Sequence, residues 1–455
     1  MQRDIENDLL AWKQRENRMP ILLRGARQVG KSYVIEKFGR GHFDNLIVVN
    51  FELQPELIRC FEDLNPLNIL QKLSLYLRHP IKPGKTLLFL DEIQDCPNAI
   101  RALRYFKEQL PTLHVIGAGS LLEFTLNDAD FRMPVGRVQS LYLKPLSFKE
   151  YLTGTEQLTL RSLIEQTNVN EPMETIYHQL LLKEIQTYIG LGGMPSVINA
   201  YRDSEVTAKG HLSRTYDINL CRLQQATLLS NYRQDFGKYA KHTLLPHLQR
   251  VFEKAPGLIG SHFKYAKVDQ ETRSTLIKSA LLLLQKAGLI YPIYSTTASG
   301  LPLITLSNEK KFKILFLDVG LMSYASQVQA MWLLDNMILA NRGATAEQFV
   351  GQELLTCAPS YEEAQLYFWC REQKSSMAEV DFITTVDAHI IPIEVKAGST
   401  GQLKSLHLLM KEKKINLGVR ISQKPLTMDH HVLSVPFYMV SEIPRLVKIQ
   451  LEKPF

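Results

Sequence analysis

The chain has 455 residues, 45% hydrophobic and 22% charged, a balance that suits packed globular domains and excludes a disordered chain. Its 53 Lys/Arg against 46 Asp/Glu give a net charge of +7, and residues 401–455 hold nine basic against four acidic residues, which admits an anionic polymer as partner without demonstrating one. Five scattered cysteines (Cys60, Cys96, Cys221, Cys357, Cys370) form no C-x-x-C pair, which excludes zinc-ribbon and disulfide-scaffold readings.

No apolar h-region opens the chain, and no run approaches the roughly 20 apolar residues of a membrane span. A cytoplasmic protein with no membrane partner is expected.

Ile5, Leu9, Leu10 and Trp12 predict a short amphipathic helix within 4–17. Apolar Ile21-Leu22-Leu23 predicts a buried strand, and Gly25 to Ser32 follows it as G-x-x-x-x-G-K-S. Such a loop wraps a phosphate in inward-facing N–H groups at a helix N-terminus. The expected nucleotide-binding residues are Gly25, Ala26, Arg27, Gln28, Val29, Gly30, Lys31, Ser32 and Tyr33. Lys31 would reach the β- and γ-phosphates and the Ser32 hydroxyl would ligate Mg²⁺.

Further strands are expected at 46–51, 86–90, 114–117 and 139–143, with helical stretches such as 99–109 between them. That alternation predicts a parallel α/β sheet covered on both faces. The strand Thr86-Leu87-Leu88-Phe89-Leu90 ends in Asp91-Glu92, at the carboxyl edge where open α/β sheets bind ligands. Asp91 would hold Mg²⁺ and Glu92 would polarise an attacking water. Ser120, at the next strand tip, has two readings: a γ-phosphate sensor, or the N-cap of a following helix.

Together GARQVGKS, LLFLDEIQ, IGAGS and VGRVQSLYLKPLSFKEYL resemble a prokaryotic AAA+ type ATPase family that pairs the ATPase with a C-terminal domain of unknown function. The later Leu191-Gly192-Gly193-Met194-Pro195 resembles the lid-region Gly-Gly-x-Pro of that family. The resemblance implies ATP, Mg²⁺, a helical lid and self-association into a homo-oligomer. It also marks Arg137, after Gly136, as a candidate to reach a neighbouring subunit's γ-phosphate, with Arg132 the weaker candidate; a surface arginine is the plainer reading.

From 158 to 240 the pattern is helical. Residues 241–306 read as two helices, near 243–254 and 270–287, followed by strands at 289–294 and 301–306, the order of a winged helix-turn-helix. This module would either read DNA or pack between domains. Lys310-Lys311-Phe312-Lys313 is a charge run that would contact phosphate or simply be solvated.

The last segment, from about 340, reads as a helix, strands at 364–370, 379–385 and 390–396, a helix at 401–413, strands at 415–421 and 435–440, and a helix at 442–450. Asp381 lies on the second strand, and Glu394 and Lys396 share one face of the third. In a hairpin Asp381 sits beside Glu394, and two carboxylates in an apolar sheet call for a second Mg²⁺ or Mn²⁺ between them. An exposed charged pair at Glu394 and Lys396 is the plainer alternative. Asp-x(n)-Glu-x-Lys resembles the PD-(D/E)xK nuclease superfamily, although the Pro before Asp381 is absent. The resemblance makes Glu347 its helix acid and Asp381, Glu394 and Lys396 its catalytic set.

The expected fold is therefore α/β: a P-loop NTPase parallel sheet of AAA+ type (1–157), a helical lid (158–240), a winged-helix-like module (241–306) and a restriction-endonuclease-like domain (307–455). Two functions fit. One is an Mg²⁺-dependent ATPase coupled to a nuclease-like domain directed at DNA or RNA. The other is a nucleotide-switched protein that docks on nucleic acid or protein without cutting.

Overall fold

The computed structural model describes residues 1–126, 136–203, 206–207, 214–215, 217–327, 343–371, 378–397 and 402–452. Two compact units make up the chain: Met1–Lys144 with Lys286–Gly288 and Pro359–Glu363, and Pro145–Gln285 with Leu289–Ala358 and Ala364–Phe455.

In the first unit, α1 (Ile5–Gln14) precedes β1 (Ile21–Arg24), α2 (Lys31–His42), β2 (Asn45–Asn50), α3 (Pro66–Leu77), β3 (Thr86–Asp91), α4 (Pro97–Gln109), β4 (His114–Ala118), α5 (Leu122–Leu126) and β5 (Gln139–Tyr142). The five strands form one parallel sheet in the order β2-β3-β4-β1-β5. All six residues of β3 are buried, as a central parallel strand with both faces covered requires. Asn65 caps α3 by accepting from Leu67 and Asn68 N–H. Leu88, Leu90, Ile93, Ile100, Leu103 and Phe106 belong to the core that fixes β3 beneath α4.

The second unit begins with α6 (Phe148–Gly154), entered through a Ser147/Glu150 capping box. Helices α7 (Leu158–Gln166), α8 (Thr175–Leu191), α9 (Pro195–Asp203) and α10 (Ile218–Tyr239) follow, with a two-residue ribbon pairing Val206–Thr207 to Arg214–Thr215. The Gly192-Gly193 pair ends α8 because nothing larger fits. A Cβ on Gly192 would meet Asp318 Oδ1 at 2.0 Å, and one on Gly193 would meet Leu146 O at 2.2 Å.

After α11 (Leu245–Lys254), α12 (Tyr265–Val268) and α13 (Ser274–Lys286) come β6 (Ile290–Thr296) and β7 (Ser307–Phe316). They lead through α14 (Val319–Ala325) and α15 (Gly343–Cys357) to β8 (Leu366–Cys370), β9 (Glu379–Val386), β10 (His389–Val395), α16 (Lys404–Lys413), β11 (Gly418–Ser422), β12 (Thr427–Asp429), β13 (Val432–Pro436) and α17 (Ile443–Leu451). Eight strands form one sheet, ordered β12-β13-β11-β10-β9-β8-β6-β7.

Two expected strands fall elsewhere. The 301–306 run contains Pro302 and folds as a 3-10 turn at Leu303–Leu306; the strand starts at Ser307, behind a polar stretch that conceals it in the sequence. The two expected helices are present, but the first expected hairpin strand, β6, pairs with β7 instead of a 301–306 strand, and the pair forms an edge of the eight-stranded sheet. The 435–440 strand lies earlier, at Val432–Pro436, because Pro436 has no N–H to extend the ladder and the chain turns into 3-10 helix.

Candidate functional site

The loop between β1 and α2 closes tightly on the first sheet. Gly25 has φ +144°, and a Cβ there would lie 2.1 Å from Leu143 O, so only glycine passes. Gly30 takes the left-handed region and opens α2, aiming that helix's N-terminus into the loop. The buried Arg3 guanidinium braces the loop from outside, donating to Val29 O at 3.0 Å and Lys144 O at 2.6 Å. Lys31 is buried and folds onto its own loop, with Nζ 2.9 Å from Gly25 O and 2.8 Å from Ala26 O. Burial lowers its pKa to about 8, against the opposing pull of Glu92 and Asp91.

Parallel register places Asn50 next to Asp91 at the strand ends. Ser32 Oγ donates to Asp91 Oδ2 at 3.0 Å and Asn50 Nδ2 donates to the same oxygen at 3.1 Å. Burial pushes the Asp91 carboxyl above its ordinary range despite these bonds. Glu92 stands in the left-handed region at φ +48°, a conformation costly outside glycine. Its Oε2 accepts from Gln94 Nε2 at 2.8 Å, Ser120 Oγ at 3.1 Å and Ser120 N–H at 3.2 Å. Burial opposes the Glu92 charge, but these donors and Lys31 hold its pKa below the usual value. Ser120 is thus a partner of Glu92, two residues ahead of α5. Serine and aspartate oxygens side by side are the hard donors that Mg²⁺ prefers, so the residues present fit that ion.

A second cluster lies on the sheet of the second unit. Strand β9 carries one extra residue opposite β8, between the pairs Tyr367–Ile383 and Trp369–Val380. This bulge falls at Asp381-Phe382, and bulges re-aim side chains beside sites. On the other edge β9 pairs with β10, Phe382 opposite Ile393, and the same register sets Asp381 beside Glu394. Val395 N–H donates to Asp381 Oδ2 at 2.7 Å and Lys396 Nζ to Glu394 Oε1 at 2.6 Å. Glu394 is 5% exposed, and its Oε2 has no hydrogen-bond partner.

Gln348 pins α15 to the end of β7 through Phe316 N–H and C=O, both at 2.8 Å. That anchor carries Glu347 over Lys313. The Lys313 ammonium, its side chain 2% exposed, lies 2.5 Å from Glu379 Oε1, 3.2 Å from Glu347 Oε2 and 3.9 Å from Asp381 Oδ1. Its Nζ also stands 5.4 Å above the Phe368 ring. His262 Nε2 is 2.6 Å from the other Glu379 oxygen. Burial alone would lower the Lys313 pKa, but Glu347, Asp381 and Glu379 together raise it. Burial, then Asp381, raises the pKa of Glu347 and of Glu394; burial raises that of Asp381 against Lys313.

Residues 17–152 match the model of an AAA domain family. The phosphate loop, the Asp91-Glu92 strand end and this match agree. Residues 17–152 are an AAA-type P-loop domain. Beyond the AAA domain, residues 182–331 and 342–438 match two models described as domains of unknown function, DUF8612 and DUF4143. No curated protein matches the chain. Among solved structures, the Walker-type ATPase PABY2304 of Pyrococcus abyssi is 14% identical, covering 71% of this chain and 95% of that one at TM-score 0.45. The Aeropyrum pernix ORC2 protein is 13% identical, covering 71% and 91% at TM-score 0.35. Thermotoga maritima RuvB is 14% identical, covering 64% and 89% at TM-score 0.30. Likeness at that level carries no function across.

Around the AAA domain's loop the structure sets Ser32 beside Asp91 and Ser120 beside Glu92, and turns Lys31 onto the loop carbonyls. Arg137 is exposed and bonds Glu108 Oε1 at 3.0 Å; Arg132 lies outside the described residues. Sequence reasoning missed Arg3, Asn50 and Gln94: distant backbone carbonyls hold Arg3, strand register brings in Asn50, and Gln94 reaches Glu92 from two residues further along the chain. In the second unit it named Glu347, Asp381, Glu394 and Lys396, and the fold gathers all four. It missed Lys313, His262 and the role of Glu379. Lys313 is not solvated. The signal was available: Phe-Lys-Ile-Leu-Phe is a strand apolar on both faces, where a lysine must be paired. Among the described residues no three His, Cys, Asp or Glu side chains converge as metal ligands do, and no helix is long and apolar enough to cross a membrane.

Proposed function

We propose that the AAA domain binds ATP with Mg²⁺ and hydrolyses it, and that this cycle is coupled to a nuclease-like, nucleic-acid-directed second unit. The observation that carries the ATPase reading is Ser32 Oγ within 3.0 Å of Asp91 Oδ2 at the mouth of a phosphate loop, with Glu92 held ionised one residue on. Bound Mg²⁺ would neutralise the phosphates. Ser32 and Asp91 would hold that ion's shell, Lys31 would exchange its loop carbonyls for phosphate oxygens, and Glu92, oriented by Gln94 and Ser120, would accept a proton from water. Lys31→Ala should lose nucleotide binding, while Glu92→Gln should bind nucleotide and fail to turn it over.

Nuclease-like chemistry in the second unit is supported by Asp381 set beside Glu394, by the unpartnered buried Glu394 oxygen and by Lys396, one residue past β10, with its Nζ 2.6 Å from Glu394 Oε1. Carboxylate oxygens alone are hard donors, so this pair fits Mg²⁺ or Mn²⁺. Such an ion would polarise a phosphodiester; Lys396 would steady the charge that develops. The second reading is a nucleotide-switched binding protein that docks on nucleic acid or protein. It is favoured by Lys313, which already answers Glu347 and Glu379 from within. Cleavage of DNA and RNA with Mn²⁺, with and without ATP, in wild type and Asp381→Asn, separates the two. Loss of cleavage in Asp381→Asn supports the nuclease reading; binding without cleavage in both proteins supports the other. Self-association, with Arg137 reaching a neighbour, belongs to the same proposal and is tested by sedimentation with and without ATP.

A further inference from the structure

The acidic cluster of the second unit holds four carboxylates, Glu347, Glu379, Asp381 and Glu394, around two ammonium groups, Lys313 and Lys396. His262 Nε2 stands 2.6 Å from the second Glu379 oxygen. The two lysines are placed differently. Lys396 is a quarter exposed and meets one carboxylate; Lys313 is 2% exposed and has three within 3.9 Å. The Lys313 Nζ position has carboxylate oxygens of Glu379, Glu347 and Asp381 at 2.5, 3.2 and 3.9 Å, while Glu394, whose Oε2 is buried and unpartnered, faces Asp381 from the neighbouring strand β10.

We infer that Lys313 is a built-in cation that fills one of two cation positions in this cluster, so that the cluster takes a single divalent cation, at Asp381 and Glu394, and would take two if Lys313 were neutral. The surroundings of Lys313 favour a permanent occupant. Its ammonium is enclosed by the Phe368 ring on one side and by carboxylates on the other. Gly260, at φ +74°, brings its loop over Glu347, where a Cβ would lie 3.1 Å from Ala344 Cα and 3.6 Å from Glu347 Oε1. An ion entering from solvent would have to displace an amine tethered to a central stretch of β7 whose neighbours Phe312 and Ile314 are both buried.

The ion at Asp381 and Glu394 rests on the nuclease-like reading; the role of Lys313 does not, and the test keeps them apart. Mn²⁺ alone is titrated into the full chain without nucleotide, in an Asp91→Asn background that silences the first unit, by electron paramagnetic resonance of free Mn²⁺ and by thermal melting against EDTA. The expected count is one Mn²⁺ per chain with Lys313 and two with Lys313→Met, and Mn²⁺ should raise the melting temperature more in the variant. Equal counts and equal Mn²⁺ response in both proteins overturn the inference. A count of none rising to one removes the nuclease-type ion and upholds the role of Lys313. If Lys313→Met is unfolded in EDTA, recovery of its circular dichroism in Mn²⁺ supports the inference. If it stays unfolded in both, Lys313→Met/Glu379→Gln, which restores the charge balance, must fold without metal. Failure of that double variant to fold makes Lys313 a packing residue and overturns the inference.

Discussion

The two units solve one problem, carboxylates gathered at a sheet, in opposite ways. At the nucleotide site Asp91 and Glu92 are met chiefly by neutral donors: Ser32, Asn50, Gln94 and Ser120. Their nearest cation, Lys31, is turned onto loop carbonyls. In the second unit Glu347, Glu379, Asp381 and Glu394 are met by Lys313 and Lys396. Neutral donors orient a carboxylate and leave its charge available to an incoming ion; a buried lysine consumes that charge. The first arrangement is built to exchange ligands and the second is largely closed before any ligand arrives.

The largest effect expected from this contrast is at Glu92. Glu92→Gln keeps the size and the bond from Ser120 but cannot take a proton, so hydrolysis should fall by about 10²–10⁴-fold with nucleotide affinity retained. Next comes Lys313→Met, which leaves three carboxylates facing one another in a low dielectric. It should cost about 3–5 kcal/mol of stability near neutral pH. The loss should shrink as pH falls and Glu347 and Asp381, whose pKa values lie above the ordinary carboxylate range, take up protons. Urea unfolding at pH 5 and pH 8 checks this; an equal loss at both pH values would show that charge is not the cause.

Asp318 sharpens the comparison because it is fully buried with neutral donors only: Gly193 N–H at 2.6 Å, Leu321 N–H at 3.0 Å and Gln352 Nε2 at 3.5 Å. Burial lifts its pKa to about 6 in spite of them. The folded state therefore holds this proton more tightly than the unfolded chain. The stabilisation is fully present below about pH 4 and is lost as pH rises through about 6. Asp318→Asn should flatten the stability profile between those values and cost about 1–3 kcal/mol at pH 7, since its amide N–H₂ meets donors. The smallest effect on stability is expected at Arg137, whose partner Glu108 is on the surface. Arg137→Ala should leave the melting temperature unchanged while slowing hydrolysis at constant nucleotide affinity. Mixing it with Lys31→Ala should restore part of the activity, and absence of rescue would remove the role across subunits.

The two sites also differ in how far the sequence discloses them. The phosphate loop is covalently continuous, so spacing alone names Gly25, Gly30, Lys31 and Ser32, and an apolar strand names Asp91 and Glu92. Asp381 and Glu394 are legible for the same reason, as facing positions of one hairpin thirteen residues apart. Lys313 is legible only as a lysine that needs a partner, because the partners themselves come from α15 and β9 and its strand opens with the polar, exposed Asn308-Glu309-Lys310. Only register across β6, β8 and β9 turns an apparently solvated charge run into the centre of a site. Asn50 escapes notice similarly, because its role depends on which strand lies alongside, and Gln94 because a neutral amide carries no spacing signature.

The most direct test of the contrast is ATP binding and hydrolysis measured together in wild type and Glu92→Gln with saturating Mg²⁺. The expected result is equal nucleotide affinity with turnover in wild type alone. Wild-type turnover in Glu92→Gln would show that the neutral donors around Glu92 do not orient a catalytic base, and would contradict the account.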